Sequence, residues 1–104
     1  MLSPNKSAVF LIPAIGGPER KLAEVEGGSL AWFPDSKWLA IADRPSPGEP
    51  VALFLLSLET GEKRKLTSPP QNSLGDGSPS VSPDGRALVF TRVLEENIGR
   101  SLPP

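Results

Sequence analysis

The sequence of 104 residues predicts an all-β fold made of four-stranded antiparallel sheets stacked on one another. Three observations predict it. Short apolar runs recur between clusters of Gly, Pro and Asp, the punctuation of a chain that reverses direction often. A unit near 45 residues long occurs twice, and such periods mark repeat architectures. Two of the apolar runs leave no polar face on the pleat, as strands covered from both sides do. The 13 prolines argue against long helices, since one inside a helix costs about 3 kcal/mol.

The repeat is visible in two registers. A shift of 44 residues places Ala8, Phe10, Leu11, Gly17 and Arg20-Lys21-Leu22 on Ala52, Phe54, Leu55, Gly61 and Arg64-Lys65-Leu66. A shift of 49 places Pro34-Asp35 on Pro83-Asp84 and Leu39 on Leu88. The complete unit reads as four strands, at residues 29–33, 38–43, 51–58 and 63–67. Residues 7–14 and 19–25 match the third and fourth strands of a preceding unit, so that 7–25 is its second half. Residues 79–82 and 87–93 match the first and second strands of a following unit, so that 79–93 is its first half. The tail at 94–104 carries no pattern. Trp38-Leu39-Ala40-Ile41-Ala42 and Val51-Ala52-Leu53-Phe54-Leu55-Leu56 are the runs without alternation. Sheets standing face to face around an axis give both sides an apolar neighbour, so the units read as blades of a β-propeller.

The turns agree with that reading. In Ser82-Pro83-Asp84-Gly85 the Pro presets φ for the second position of a type I turn, and Gly closes it. Thr60-Gly61 supplies a second tight reversal. The first copy has Ser36 where the second has Gly85, so a requirement for positive φ would strain Ser36.

These residues resemble the TolB-type, WD40-like (PD40) propeller repeat. The resemblance rests on Trp32-Phe33-Pro34-Asp35-Ser36-Lys37-Trp38-Leu39-Ala40-Ile41 and on Ser82-Pro83-Asp84-Gly85-Arg86-Ala87-Leu88-Val89-Phe90. It is completed by Leu53-Phe54-Leu55-Leu56, Gly61 and Arg64-Lys65-Leu66-Thr67. Phe33, Ser36 and Val81 depart from the family pattern. The resemblance makes Trp32, Pro34, Asp35, Gly61, Pro83, Asp84 and Gly85 structural signature positions. Loops such as Pro47-Gly48-Glu49-Pro50 and Ser73-Leu74-Gly75-Asp76-Gly77 are similar to those of bacterial propellers attached to winged-helix regulators or kinases. By the same resemblance a periplasmic or extracytoplasmic location is expected, although the sequence shows no signal for one. The apolar run 8–12 stops at Pro13, too short for a signal-peptide core or a membrane span. Because Leu102-Pro103-Pro104 stops where a further third strand would begin, a fragment or truncated reading frame is expected, completed by other blades or by self-association.

Composition excludes more chemistry than it proposes. With no Cys and no His the chain lacks thiolate nucleophiles, the commonest general base and the commonest metal ligand. A net charge of −1 gives no electrostatic footprint for nucleic acid or an anionic membrane. We therefore expect no enzyme activity, no metal, no cofactor and no nucleic-acid or membrane contact from this segment. Ser3-Pro4-Asn5-Lys6 matches Ser-x-x-Lys but lies beside a proline at a terminus. Asp35 and Asp84 sit at equivalent turns and read as turn caps that do not converge on one bond. Glu95-Glu96 reads as solvated tail, and Lys63-Arg64-Lys65 as a charged edge that discourages strand addition. Gly75-Asp76-Gly77 lacks the Lys-Ser/Thr of a phosphate loop.

Successive connections of an antiparallel meander alternate between the two ends of the sheet. Residues 34–36 and 59–62 then share one end, and the longer connections 44–50 and 67–79 share the other. Recognition usually resides on long loops held by rigid strands. The candidate contact residues are accordingly Arg44, Glu49, Gln71, Asn72 and Asp76, facing a protein partner or a small ligand. The expected function is a non-catalytic interaction or ligand-sensing module. The alternative is the gating propeller of a prolyl-oligopeptidase-type serine peptidase, whose Gly-x-Ser-x-Gly elbow and His are absent from this sequence. Without neighbours, the strands at 51–58 and 7–14 are expected to expose apolar faces and to drive association.

Overall fold

A computed structural model describes residues 6–94. Most of the Ser3–Lys6 motif, Glu95-Glu96 and the rest of the tail lie outside the described residues. The described chain is all β. Its strands are β1 (Ser7–Leu11), β2 (Arg20–Val25), β3 (Leu30–Trp32), β4 (Trp38–Asp43), β5 (Ala52–Ser57), β6 (Lys63–Lys65), β7 (Ser73–Val81) and β8 (Leu88–Leu94). They form three antiparallel sheets: β1-β2, the central β3-β4-β5-β6, and β7-β8.

The central sheet is a meander with β4 and β5 in its middle. Their register runs from Trp38 opposite Ser57 to Asp43 opposite Ala52. Both pleat faces of this pair are buried. Leu39, Ile41, Ala52, Phe54 and Leu56 form one core cluster with Val9 of β1 and Val25 of β2. Ala40, Ala42 and Leu53, which alternate with them, are buried too. Their side is the one on which β7 runs along β3, β4 and β5. The absence of alternation in the sequence thus corresponds to a sheet flanked by two others. Full burial of one Leu side chain contributes about 2 kcal/mol, and this pair of strands carries most of the buried apolar residues. The molecule is a slab of 59 × 41 × 23 Å with a radius of gyration of 15.7 Å, against about 13 Å for a compact domain of 100 residues.

Two expectations are corrected. The strand at 51–58 does not expose an apolar face, because the flanking sheets cover β5 on both sides; only the 7–14 segment does, through Phe10 and Ile12. The connection expected at 67–79 ends at residue 72, and β7 occupies Ser73–Val81. Gly75, Gly77 and Pro79 look like loop residues, but β7 pairs with β8 through register shifts between Ser73 and Gly75 and between Gly77 and Ser80. Gly and Pro inside a strand are characteristic of such bulges. Gly75 also meets the central sheet: it bridges to Val51 in parallel fashion, and the Asp76 N–H donates to the Val51 carbonyl at 2.8 Å. A Cβ on Gly75 would stand 3.0 Å from the Val51 nitrogen, and its φ is +122°.

Candidate functional site

Each end of the sheets carries one candidate surface. At the tight-turn end, Phe33–Ser36 and Ser82–Gly85 fold alike. The Ser36 N–H donates to the Phe33 carbonyl at 3.0 Å, and the Gly85 N–H to that of Ser82 at 2.9 Å. Both closing residues have positive φ, 61° at Ser36 and 75° at Gly85. The left-handed conformation suspected from the Ser/Gly exchange is therefore present in both copies. The two aspartates cap these turns. Asp35 Oδ1 accepts from the Lys37 N–H at 2.9 Å, and Asp84 Oδ1 from the Arg86 N–H at 3.0 Å and the Ser82 hydroxyl at 2.6 Å. The Ser82 hydroxyl and the Arg86 N–H hold the Asp84 carboxyl below the usual range.

In the sequence these turns stand 49 residues apart. In the structure Phe33, Pro34, Asp35, Asp84 and Gly85 line one cleft of about 240 Å³ between neighbouring sheets. The signal was present in the repeat itself, since equivalent turns of adjacent units come side by side. Trp32, at the end of β3, is exposed. Gly61, with φ 78°, closes the β5–β6 turn through its N–H to the Ser57 carbonyl at 2.9 Å. Among the described residues no group of three or more His, Cys, Asp or Glu is placed to hold a metal ion.

The other end carries the long connections. Asp43 closes β4 and is buried; its carboxylate accepts from the Glu26 and Arg44 N–H groups, both at 2.8 Å, and from the Lys63 ammonium. Burial alone would raise its pKa, but the Lys63 ammonium and the two N–H groups outweigh that effect and hold it below the usual value. Lys63, expected only to guard an edge, lies over the Phe54 ring as well, 5.2 Å from its centre.

Arg44 and Glu49 are brought together. Arg44 Nε donates to Glu26 Oε1 at 3.2 Å, and its guanidinium also donates to the Glu49 carbonyl. The Glu49 carboxylate accepts from the Ser46 hydroxyl at 2.8 Å. Both residues are half-buried, so their polar atoms are partly committed to shaping the loop. Gln71 and Asn72 are exposed in the turn that the Ser73 N–H closes onto the Pro70 carbonyl at 2.9 Å. Asp76 is not on a loop. It is buried in β7 opposite Arg92 of β8, which donates from Nε at 2.7 Å and from Nη2 at 3.0 Å. Asp76 in turn raises the pKa of the guanidinium. Its place among exposed contact residues is therefore corrected: the bulged strand turns it inward, where a bidentate partner compensates its burial.

No family model matches the chain. In three dimensions it is similar to the crystal structure of TolB from Acinetobacter baumannii, with a TM-score of 0.68 and 27% sequence identity over 84% of this chain. The chain is a TolB-like, WD40-like β-propeller segment. Its central sheet is one four-stranded blade, flanked by the second half of one blade and the first half of another. The propeller segment spans 21% of that TolB chain. Over 66 residues, 62% of its length, it is also 42% identical to an uncharacterized peptidase, YuxL, of Bacillus subtilis (strain 168), of which it spans 9%.

Proposed function

We infer that the segment is a non-catalytic interaction module of a larger bacterial protein. It would recognise a protein partner or a small ligand at the end of its blades that carries the long connections. The observation behind this reading is the footing of that end. Asp43 anchors the chain where β4 leaves the sheet, and Arg44 fixes the loop to Glu26 and Glu49, while Gln71 and Asn72 are exposed on the connection 66–72 that precedes β7. Loops pre-ordered in this way lose little entropy on binding.

The test is peptide selection by phage display on the immobilised segment, with an Arg44→Ala/Gln71→Ala/Asn72→Ala variant as control. Selected peptides are expected to lose at least about tenfold in affinity for the variant, a difference near 1.4 kcal/mol. Peptides indifferent to it, yet lost with Asp35→Ala/Asp84→Ala, would move the recognition surface to the cleft between the tight turns.

A second reading is supported by the similarity to a peptidase. The segment would then be part of a propeller that controls access to a catalytic domain, as in prolyl-oligopeptidase-type enzymes. In either case the segment itself does no bond chemistry. The purified chain is expected to leave alanyl and prolyl p-nitroanilides intact; hydrolysis that co-purifies with it through two columns would refute that. An α/β-hydrolase domain in the same reading frame favours the peptidase reading, and a winged helix favours the first.

A further inference from the structure

The cleft between the two Pro-Asp turns joins chemistry that neither turn has alone. The shift of 49 residues that relates the turns sets Phe33 against Ser82, and the two side chains do different things. The Ser82 hydroxyl is spent on its own turn, donating to Asp84 Oδ1 at 2.6 Å. Phe33 makes no such bond and brings an aromatic side chain to the lining of the cleft. Each carboxylate commits Oδ1 to its turn, Asp35 to the Lys37 N–H and Asp84 to the Arg86 N–H as well. Among the described residues every ion pair goes to some other carboxylate. Lys37 and Arg86, two residues along each turn, are exposed and pair with neither aspartate. Two carboxylates without a cation thus share one cleft with a ring.

Both walls of this cleft are turns that lie well inside the described chain. β1 and β2 pack on one face of the central sheet and β7 on the other. A further unit stacked on either side therefore meets an outer face of the segment; it builds another cleft of this kind and does not fill this one. The size is informative too. About 240 Å³ falls below the roughly 300–1,000 Å³ of pockets that enclose drug-sized ligands and cofactors, and it suits a single side chain.

We propose that the cleft holds the guanidinium of an arginine carried on an extended segment of a partner protein. A guanidinium is planar, always charged and rich in N–H donors, so it can bridge two carboxylates while its flat face meets an aromatic ring. The lysine ammonium is compact and strongly hydrated and does less of both. A metal ion is served less well. Among the described residues no third acidic ligand joins the two aspartates, whereas calcium takes about 6–8 oxygens. The hydrogen bonds that close both turns fix the two carboxylates before anything arrives, which lowers the entropy lost on binding. The site lies at the opposite end of the sheets from the long connections, so it goes beyond the reading above and does not depend on it.

Titration of the isotope-labelled protein by nuclear magnetic resonance tests this, with N-acetyl-Gly-Arg-Gly amide as the probe and its lysine and citrulline counterparts beside it. The arginine peptide is expected to move the amide signals of Phe33, Asp35, Asp84 and Gly85. The lysine peptide should bind several-fold more weakly. Citrulline keeps the shape of arginine without its charge and should leave the signals in place. Asp35→Asn/Asp84→Asn retains an acceptor oxygen at each turn and removes both charges; it is expected to cost at least about tenfold in affinity, with the wild-type signal dispersion kept. Phe33→Ser installs the residue of the equivalent turn, and the preference for arginine over lysine should then fall toward unity. An equal response to citrulline, unchanged affinity in the double variant, or shifts confined to other amides would overturn the proposal. So would calcium chloride that moves the same four signals at lower concentration than the peptide, since the cleft would then be a metal site. None of these outcomes touches recognition at the opposite end, where the selected peptides depend on Arg44, Gln71 and Asn72.

Discussion

Residues 39–42 in β4 and 88–91 in β8 occupy the same positions of the repeat, yet their surroundings differ. The first four are all buried; in the second, Leu88 and Phe90 are half-buried and Val89 and Thr91 are exposed. The difference lies in what stands beside each strand. Among the described residues β4 has a strand on both edges and buried side chains on both faces, whereas β8 is hydrogen-bonded to β7 alone. Burial in a repeat protein is thus a property of neighbours, and equivalent substitutions should have unequal effects along the chain.

The largest expected effect tests this contrast. Leu53→Ala, in the middle of β5 and fully buried, is expected to destabilise by about 2–5 kcal/mol. The same chemical change at exposed Leu74 of β7 should cost less than about 1 kcal/mol. Urea unfolding of the two variants under one set of conditions measures the gap, and equal effects would mean that the central blade is no better packed than its flanks.

Next in size is the ion pair that joins the two strands of the flanking half-blade. Asp76→Asn leaves the Arg92 guanidinium without its bidentate acceptor and is expected to cost about 2–3 kcal/mol, at the lower end for a broken buried pair because Arg92 keeps some contact with water. Asp76→Ala/Arg92→Leu should recover part of the loss, since no charge is then left unpaired. A double variant as unstable as the single one would deny the pair its role.

A smaller effect separates the central blade by pH. The Asp43 carboxyl is held below its ordinary value of 3.8, so its contribution is whole above that value and is lost as pH falls through the lower, folded-state value. Asp43→Asn is expected to cost about 1–2 kcal/mol at neutral pH, and the gap to wild type should close as the pH drops below 3.8. A gap that stays constant from neutral to strongly acid pH would show that the charge on Asp43 contributes nothing.

The smallest effect compares the two equivalent turns. Ser36 holds a left-handed conformation that its counterpart Gly85 adopts without a Cβ. Ser36→Gly is expected to stabilise by about 0.5–1 kcal/mol, a rise of a few degrees in Tm, and Gly85→Ser to lose a similar amount. A fall in Tm for Ser36→Gly would mean that the Ser side chain compensates for its backbone strain.

Much of the fold was legible in the residues. Strand positions, the two tight turns and the double-sided burial of β4 and β5 follow from local pattern, because period, turn chemistry and apolar content all act within a few residues. β7 was not legible. Its Gly75-Asp76-Gly77-Ser78-Pro79 run has the composition of a loop and becomes a strand because β8 and Val51 supply partners for its backbone. Asp76 was misplaced for the same reason. Of the contact residues, Gln71 and Asn72 are displayed as expected from their polar turn, while Arg44 and Glu49 are partly consumed by the loop they shape. The cleft between the two Pro-Asp turns is foreshadowed only by their equivalence in the repeat, because it exists where neighbouring sheets meet.

By itself, then, the sequence determined the repeat unit, the direction of its reversals and which strands need cover on both faces, all of which local sterics and side-chain hydrophobicity dictate. The tertiary structure decided which carboxylate is buried with which cation and where two turns make one cleft. Those outcomes depend on residues far apart in the chain being brought together, and no local preference encodes them.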